Sequence, residues 1–285
     1  MSTKKLAELP AGTIEYIDSG GDGPVLVFLH GVVMSSTLWD EVIGKLPGEF
    51  RCIVPELPLG AHKIPMNEKA DLSLPAMAKI VFDFLDHLDV NDVTLINNDW
   101  GGSQVLVAQG LTSRIGRLII TSCEAFENYP PGIPGKLLGM SAKLPAGLQI
   151  AFASLKFKPA RRLPMTWGRM SKKTIPPAIM DAWFEPILTS KEIRRDFKKY
   201  ANKMPKRDVL IQLGGEQIGK FEGPALVIWA ADDRLMPLRH GKRLAELLPQ
   251  GELITVDDSF TLIPIDKPDE LAGHITSFVK THTGV

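Results

Sequence analysis

The stretch Val93-Thr94-Leu95-Ile96-Asn97-Asn98-Asp99-Trp100-Gly101-Gly102 restricts the fold more than any other part of the chain. Its β-branched and apolar start predicts a strand covered on both faces. Two glycines come next, and a helical pattern occupies 102–111. A helix that starts directly beyond a buried strand must pack against it, and that turn needs small residues. The side chain at the apex, Asp99, is then presented above the sheet. A serine is more usual at such an apex, so the carboxylate raises the question of what chemistry it serves.

Strands and helices alternate along much of the chain. "VLVFL" at 25–29 and "RCIVPEL" at 51–57 read as buried strands, and 12–18 as an outer strand. Leu74, Met77, Ile80, Val81, Phe84, Leu85 and Leu88 fall on one stripe and predict a helix over 74–88. "RLIITS" (117–122), "ALVIWA" (225–230) and "ELITV" (252–256) are further strands, with helices expected at 238–248 and 268–280. This alternation predicts an α/β fold with a doubly wound, mostly parallel sheet. Residues 124–222 interrupt it with Pro-, Lys- and Arg-rich sequence and helical patches at 146–156 and 188–202. The expected organisation is a core built from 1–123 and 223–285, with 124–222 as an inserted helical cap. Such an insertion emerges at the carboxyl ends of the strands, where sheets of this kind place their sites.

Charge and composition exclude several classes. Lys+Arg and Asp+Glu each total 33, so no global field favours nucleic acid. The cap carries 18 Lys/Arg against 9 Asp/Glu. The simplest reading is solvated helix faces over an apolar underside, rather than attraction of an anionic substrate. No run approaches the ~20 apolar residues of a membrane span, and the start lacks a secretory pattern. "KLPAGLQIAFASLKF" (143–157) reads as a cap helix over a pocket rather than a membrane anchor. Cys52 and Cys123 fall in or beside predicted strands and read as reduced core thiols, and no Cys/His spacing suggests a metal. A cytoplasmic protein, monomeric or homodimeric, acting on a small apolar or weakly polar molecule is the expectation.

Three local signals carry chemistry. "FLHGVV" (28–33) follows a strand and aims the Val32 N–H at the site, as half of an oxyanion hole. "NNDWGG" (97–102) presents Asp99, with the Trp100 N–H as the other half. "WAADDRLMP" (229–237) places Asp233 on an acidic turn after a strand. Their order is that of an α/β-hydrolase. Together with "CEAFENYPPG" (123–132) they resemble the haloalkane dehalogenase and epoxide hydrolase branch of that superfamily.

The resemblance implies a cofactor-independent reaction. Asp99 attacks an sp³ carbon, displaces halide or opens an epoxide, and leaves an alkyl-enzyme ester that water then cleaves. A carboxylate suits this because it is ionised without help from a base. The resemblance makes Trp100 a halide donor, whereas Val32 stands where a second donor, Asn, is usual. It offers Asp233 or Glu124 as the supporting acid. Ring opening needs an acid on the cap, for which Tyr129 and Tyr200 are the available tyrosines. Phe152, Met165, Trp167 and Trp183 are candidate pocket walls.

The departure lies in the base. The family histidine sits before an aliphatic-x-Pro sequence, and here "DDSFTLIP" (257–264) puts Thr261 there. His62, on a loop beside a central strand, is the candidate replacement, with Glu124 a second. Without a base, the enzyme stalls at the ester, or Asp99 is no covalent nucleophile and the pocket binds a ligand or uses Asp99 itself as a base. A buried Asp99 under an apolar cap should then titrate high.

Overall fold

The predicted strands lie side by side in one eight-stranded sheet. The computed structural model describes residues 4–284. In chain order the strands are β1 (Lys4–Leu9), β2 (Gly12–Asp18), β3 (Val25–Leu29), β4 (Arg51–Pro55), β5 (Val93–Asp99), β6 (Ile115–Cys123), β7 (Ala225–Ala230) and β8 (Gly251–Val256). Their order across the sheet is β1-β2-β4-β3-β5-β6-β7-β8. β1 and β2 pair antiparallel, as do β2 and β4, and every later pair is parallel. β5 and β7 are buried at every position, β7 as its unbroken apolar run requires and β5 although Thr94 and two asparagines interrupt its apolar start. β2 alternates buried and half-buried residues, so it has one wetter face. It is not the outermost strand, because β1 pairs along its free side.

Eight helices of seven or more residues are numbered here: α1 (Leu74–His87), α2 (Gly102–Ala108), α3 (Gly132–Lys143), α4 (Gly147–Ala153), α5 (Pro177–Thr189), α6 (Lys191–Asn202), α7 (Leu238–Leu247) and α8 (Pro268–Thr283). α1 starts beyond Ser73 with Pro75 in its first turn, a position that tolerates a missing N–H. Its stripe of Leu74, Met77, Ile80, Val81, Phe84 and Leu85 is buried. Each such side chain contributes about 1.5–3 kcal/mol of burial. Phe84 meets the Tyr16 ring of β2 edge to face at 5.2 Å, so helix and sheet share one core.

Between β6 and β7 the chain forms helices joined by loops, with no strand among the described residues, and α3 to α6 form the cap. One end of it is fastened to the core. Asp196 of α6 accepts the Met66 N–H at 2.8 Å, Arg195 donates to Met66 O at 2.7 Å, and Lys199 donates to Glu68 O at 2.6 Å.

Candidate active site

The strand-to-helix turn at 97–102 is held by its own asparagines. Asn97 donates to Trp100 O at 2.9 Å and accepts from the Ser103 hydroxyl at 2.6 Å. Asn98 reaches beneath the site to the Thr261 carbonyl at 2.8 Å. Asp99 sits at the apex with φ 63°, a backbone strain of about 1–3 kcal/mol for a residue with a side chain. Such strain is kept where surrounding structure imposes it. The glycines matter by space: a Cβ on Gly101 would stand 2.3 Å from Glu124 O, and one on Gly31 would stand 2.2 Å from Asp99 Oδ2. Gly31 thus leaves room for the carboxylate to receive the Val32 N–H at 2.9 Å. The second expected donor is spent elsewhere, because the Trp100 N–H closes the turn onto Asn98 O at 2.7 Å. Of the two expected backbone donors, only the Val32 N–H therefore meets the carboxylate.

A covered cavity of about 250 Å³ lies above this turn. Val32, Asp99 and Glu124 form part of its floor, and Phe152, Trp167 and Tyr200 are among its cap residues. Met165 lines it as well, whereas Trp183 faces the core and donates to the Thr37 hydroxyl at 2.9 Å. Burial raises the Asp99 carboxyl from its ordinary 3.8 to about 7, against the lowering effect of the Val32 bond and with a further rise from Asp233. This matches the high titration expected for a carboxylate under an apolar cap.

Glu124 shares the floor with Asp99. β5 and β6 are neighbours with Asp99 opposite Cys123, and the Glu124 N–H donates to Asp99 O at 2.8 Å. Burial first, and the Asp99 charge second, push the Glu124 carboxyl well above its usual range. Tyr129 and Tyr200, which sequence could not place, both come to this spot. Glu124 Oε2, both tyrosine hydroxyls and Trp100 Nε1 are buried, and none completes an aligned hydrogen bond. Tyr129 and Trp100 still lie close enough to the Tyr200 hydroxyl to influence its ionisation. Glu124 and Tyr200, which line the cavity, and Tyr129 and Trp100 behind them thus form a cluster of buried, incompletely bonded polar groups beside the apolar chamber, a feature a purely structural core avoids.

Asp233 and Thr261 occupy the places that acid and base take in the resemblance, but they close on each other. The Thr261 hydroxyl donates to Asp233 Oδ1 at 2.9 Å, and the same oxygen accepts from Leu235 and Met236 N–H at 2.9 and 2.8 Å. Burial lifts Asp233 to about 6. Neither residue lines the cavity, nor does Trp100. The expected substrate contacts of Thr261 and Trp100 are not seen: Thr261 fills the base position without reaching the chamber, and Trp100 lies behind it, while Asp233 stands back from it as a supporting acid would.

His62 is also corrected. Its ring is buried and turned from the cavity, with Nε2 3.6 Å from Asp196 Oδ2 and Nδ1 3.4 Å from the Gly60 N–H. It belongs to the cap anchorage. His30 is structural: Nε2 accepts the Leu57 N–H at 2.8 Å and Nδ1 lies 2.9 Å from Gly31 O, which fixes the His-Gly turn. Among the described residues no group of three or more His, Cys, Asp or Glu is placed to hold a metal ion.

Comparison with known proteins agrees with this architecture. The haloalkane dehalogenase DbeA from Bradyrhizobium elkani superposes with a TM-score of 0.80 over 100% of this chain and 99% of its own, at 16% identity. An uncharacterized hydrolase of Bacillus subtilis, YugF, is 25% identical over 90% of this chain and 89% of its own. A Xanthomonas campestris protein named cis-3-alkyl-4-alkyloxetan-2-one decarboxylase is 24% identical over 97% and 95%. A haloalkane dehalogenase of Mesorhizobium japonicum is 34% identical over a shorter stretch, 34% of this chain and 31% of its own. The family model for the alpha/beta hydrolase fold matches residues 24–268. With that match spanning most of its length, the sheet order that goes with it and a carboxylate at the strand-to-helix apex, this chain belongs to the α/β-hydrolase fold family.

Proposed function

We propose that the chain is a cofactor-independent hydrolase in which Asp99 attacks an sp³ carbon bonded to halogen or to a ring oxygen, through an alkyl-enzyme ester. The observation that carries this reading is the ionisable Asp99 carboxylate, held at one oxygen by Val32 and facing a mostly apolar cavity under the cap. Opening a strained C–O ring is the better fit of the two. Tyr200 brings an unpartnered hydroxyl into the chamber from the cap, while Trp100, the halide donor, stands outside the lining. The Xanthomonas relative is named for an oxetan-2-one, which like an epoxide is a strained ring with an sp³ carbon–oxygen bond.

The proton balance follows from the carboxyl pair. Asp99 is the ionised member and Glu124 the protonated one. Asp99 Oδ1 bonds to carbon as the ring C–O bond breaks, and Tyr200 gives its proton to the freed oxygen. Tyr129 stands beside both Tyr200 and Glu124 and replaces that proton from Glu124. Glu124 is now ionised, and the ester has removed the Asp99 charge that opposed it. It takes a proton from water as the oxygen attacks the ester carbonyl, with the carbonyl oxygen facing Val32 N–H. Collapse breaks the bond between Asp99 Cγ and the alkoxy oxygen, that departing oxygen takes the proton from Glu124, and transfer of the remaining proton from the Asp99 carboxyl to Glu124 restores the pair. General-base help of this kind is worth about 10²–10⁴ in rate.

A second reading is favoured by one contact. Thr261 satisfies Asp233 as a structural pair would, which suits a protein that binds a small molecule without turning it over. Intact-mass measurement on exposure to a panel of epoxides and haloalkanes separates the two. An adduct lost in Asp99→Asn, together with released product, supports the hydrolase; a panel with neither adduct nor product sinks it and leaves the binding protein.

A further inference from the structure

Residues 128–180 contain nine Lys/Arg and no Asp or Glu. The same segment exposes apolar side chains in a way the rest of the molecule does not. Ile133, Leu137, Met140 and Leu144 recur every three or four residues along α3 and its C-terminal cap, as one outward stripe. Ile150 and Phe157, then Leu163 and Met165, extend it. All eight are between 47% and 71% exposed, and only three other large hydrophobics among the described residues are comparably open. The opposite side of α3 is apolar too, since Pro134 and Leu138 line the cavity. A helix apolar on both sides is one that something covers.

Charge decides what covers it. Lys158 and Arg161 pair with Asp181. Lys136, Lys143, Lys156, Arg162 and Arg169 are exposed, and among the described residues they form no ion pair. A second copy of the chain would bring this unneutralised cationic face against itself. A nucleic acid would set aliphatic side chains against phosphates, with Phe157 the one exposed aromatic ring available for stacking. An anionic lipid surface satisfies both features: apolar side chains enter the acyl boundary while lysine and arginine ends meet the headgroups. No helix among the described residues is long and apolar enough to cross a membrane, so the contact is with one leaflet.

We propose that the α3–α4 face of the cap docks on the surface of an anionic bilayer. Leu137 and Met165 are exposed on this face and also line the cavity, so the chamber opens toward the docked surface. An apolar substrate then passes from lipid to cavity without crossing water. The docking stands on the cap alone and is independent of how Asp99 reacts.

Flotation of the full-length protein with vesicles tests it, using phosphatidylcholine alone and phosphatidylcholine mixed with phosphatidylserine. The expected result is binding to the mixed vesicles that weakens steeply with salt. Lys136→Gln and Lys143→Gln should each weaken it by about fivefold. Met140→Ser with Ile150→Ser should weaken it roughly tenfold, while Leu247→Ser, an exposed apolar site elsewhere, leaves it unchanged. Unaltered thermal melting confirms that each variant is folded. Failure to float with the mixed vesicles, equal binding by all variants, or a concentration-dependent dimer dissolved by Met140→Ser would each overturn the proposal.

Discussion

Above about pH 5, replacing Asp99 by asparagine should make the protein more stable, and increasingly so as pH rises. The carboxyl titrates near 3.8 in the unfolded chain and at about 7 when folded, chiefly through burial. Because the folded value is the higher one, the native state keeps a proton that the unfolded chain has shed. Stability is therefore full below about pH 4 and is lost as pH climbs toward 7. The total loss is about 4 kcal/mol, at 1.36 kcal/mol per pH unit of displacement. Asparagine carries no such cost. Its amide keeps an oxygen for the Val32 N–H but adds a donor facing an apolar chamber, a penalty of ~1–2 kcal/mol. The two proteins should match near pH 5, and the variant should lead by roughly 2–3 kcal/mol at pH 8. Urea unfolding of both at pH 5, 6, 7 and 8 measures this directly. A stability difference that stays flat over that range would refute the buried, reluctantly charged Asp99 on which the chemistry is built.

The same titration predicts that alkylation of Asp99 by an epoxide speeds up from pH 6 to pH 8 with a midpoint near 7, followed by intact-mass time courses. Glu124→Gln should leave the ester formed but slow its hydrolysis by about 10²–10⁴, so that adduct accumulates where the parent protein turns over. Thr261→Val removes the Thr261 hydroxyl's bond to Asp233 and should cost about 1–3 kcal/mol in urea unfolding, with the cavity unchanged. Gly31→Ala sets a methyl against the Asp99 carboxylate, and adduct formation should fall at least tenfold while the fold, followed by circular dichroism, persists.

The parts of the molecule legible from sequence are those where one physical demand dominates. β7 is covered on both faces, so its apolar run is unbroken and its ends clear, and β5 is marked by its apolar start and by the glycines that follow it. β1 reads poorly because "KKLAEL" is an edge strand with lysines facing water, and it becomes a strand only by pairing with β2. α3 contains three glycines and α5 contains Pro186, so local propensity argues against helices that cap packing nonetheless sustains. Asp99 and Val32 were readable because strand, turn and helix fix their direction. His62 misled because a loop beside a strand does not say which way a ring turns, and this one turns to Asp196. Tyr200 carried a usable signal: Ile193, Asp196, Phe197, Tyr200 and Ala201 mark the buried stripe of α6. What periodicity could not supply was the cavity on which that stripe ends.

The anchorage of α6 divides the roof into two kinds of part. Asp196, Arg195 and Lys199 tie that helix to the loop around Met66, so the hydroxyl of Tyr200 stays registered against the floor through every cycle. α3 and α4 have no such tether among the described residues, and on the proposed reading guests come and go past them. Admission and alignment are thereby assigned to different helices. Widening the doorway to suit bulkier guests need not disturb the atoms that act on them.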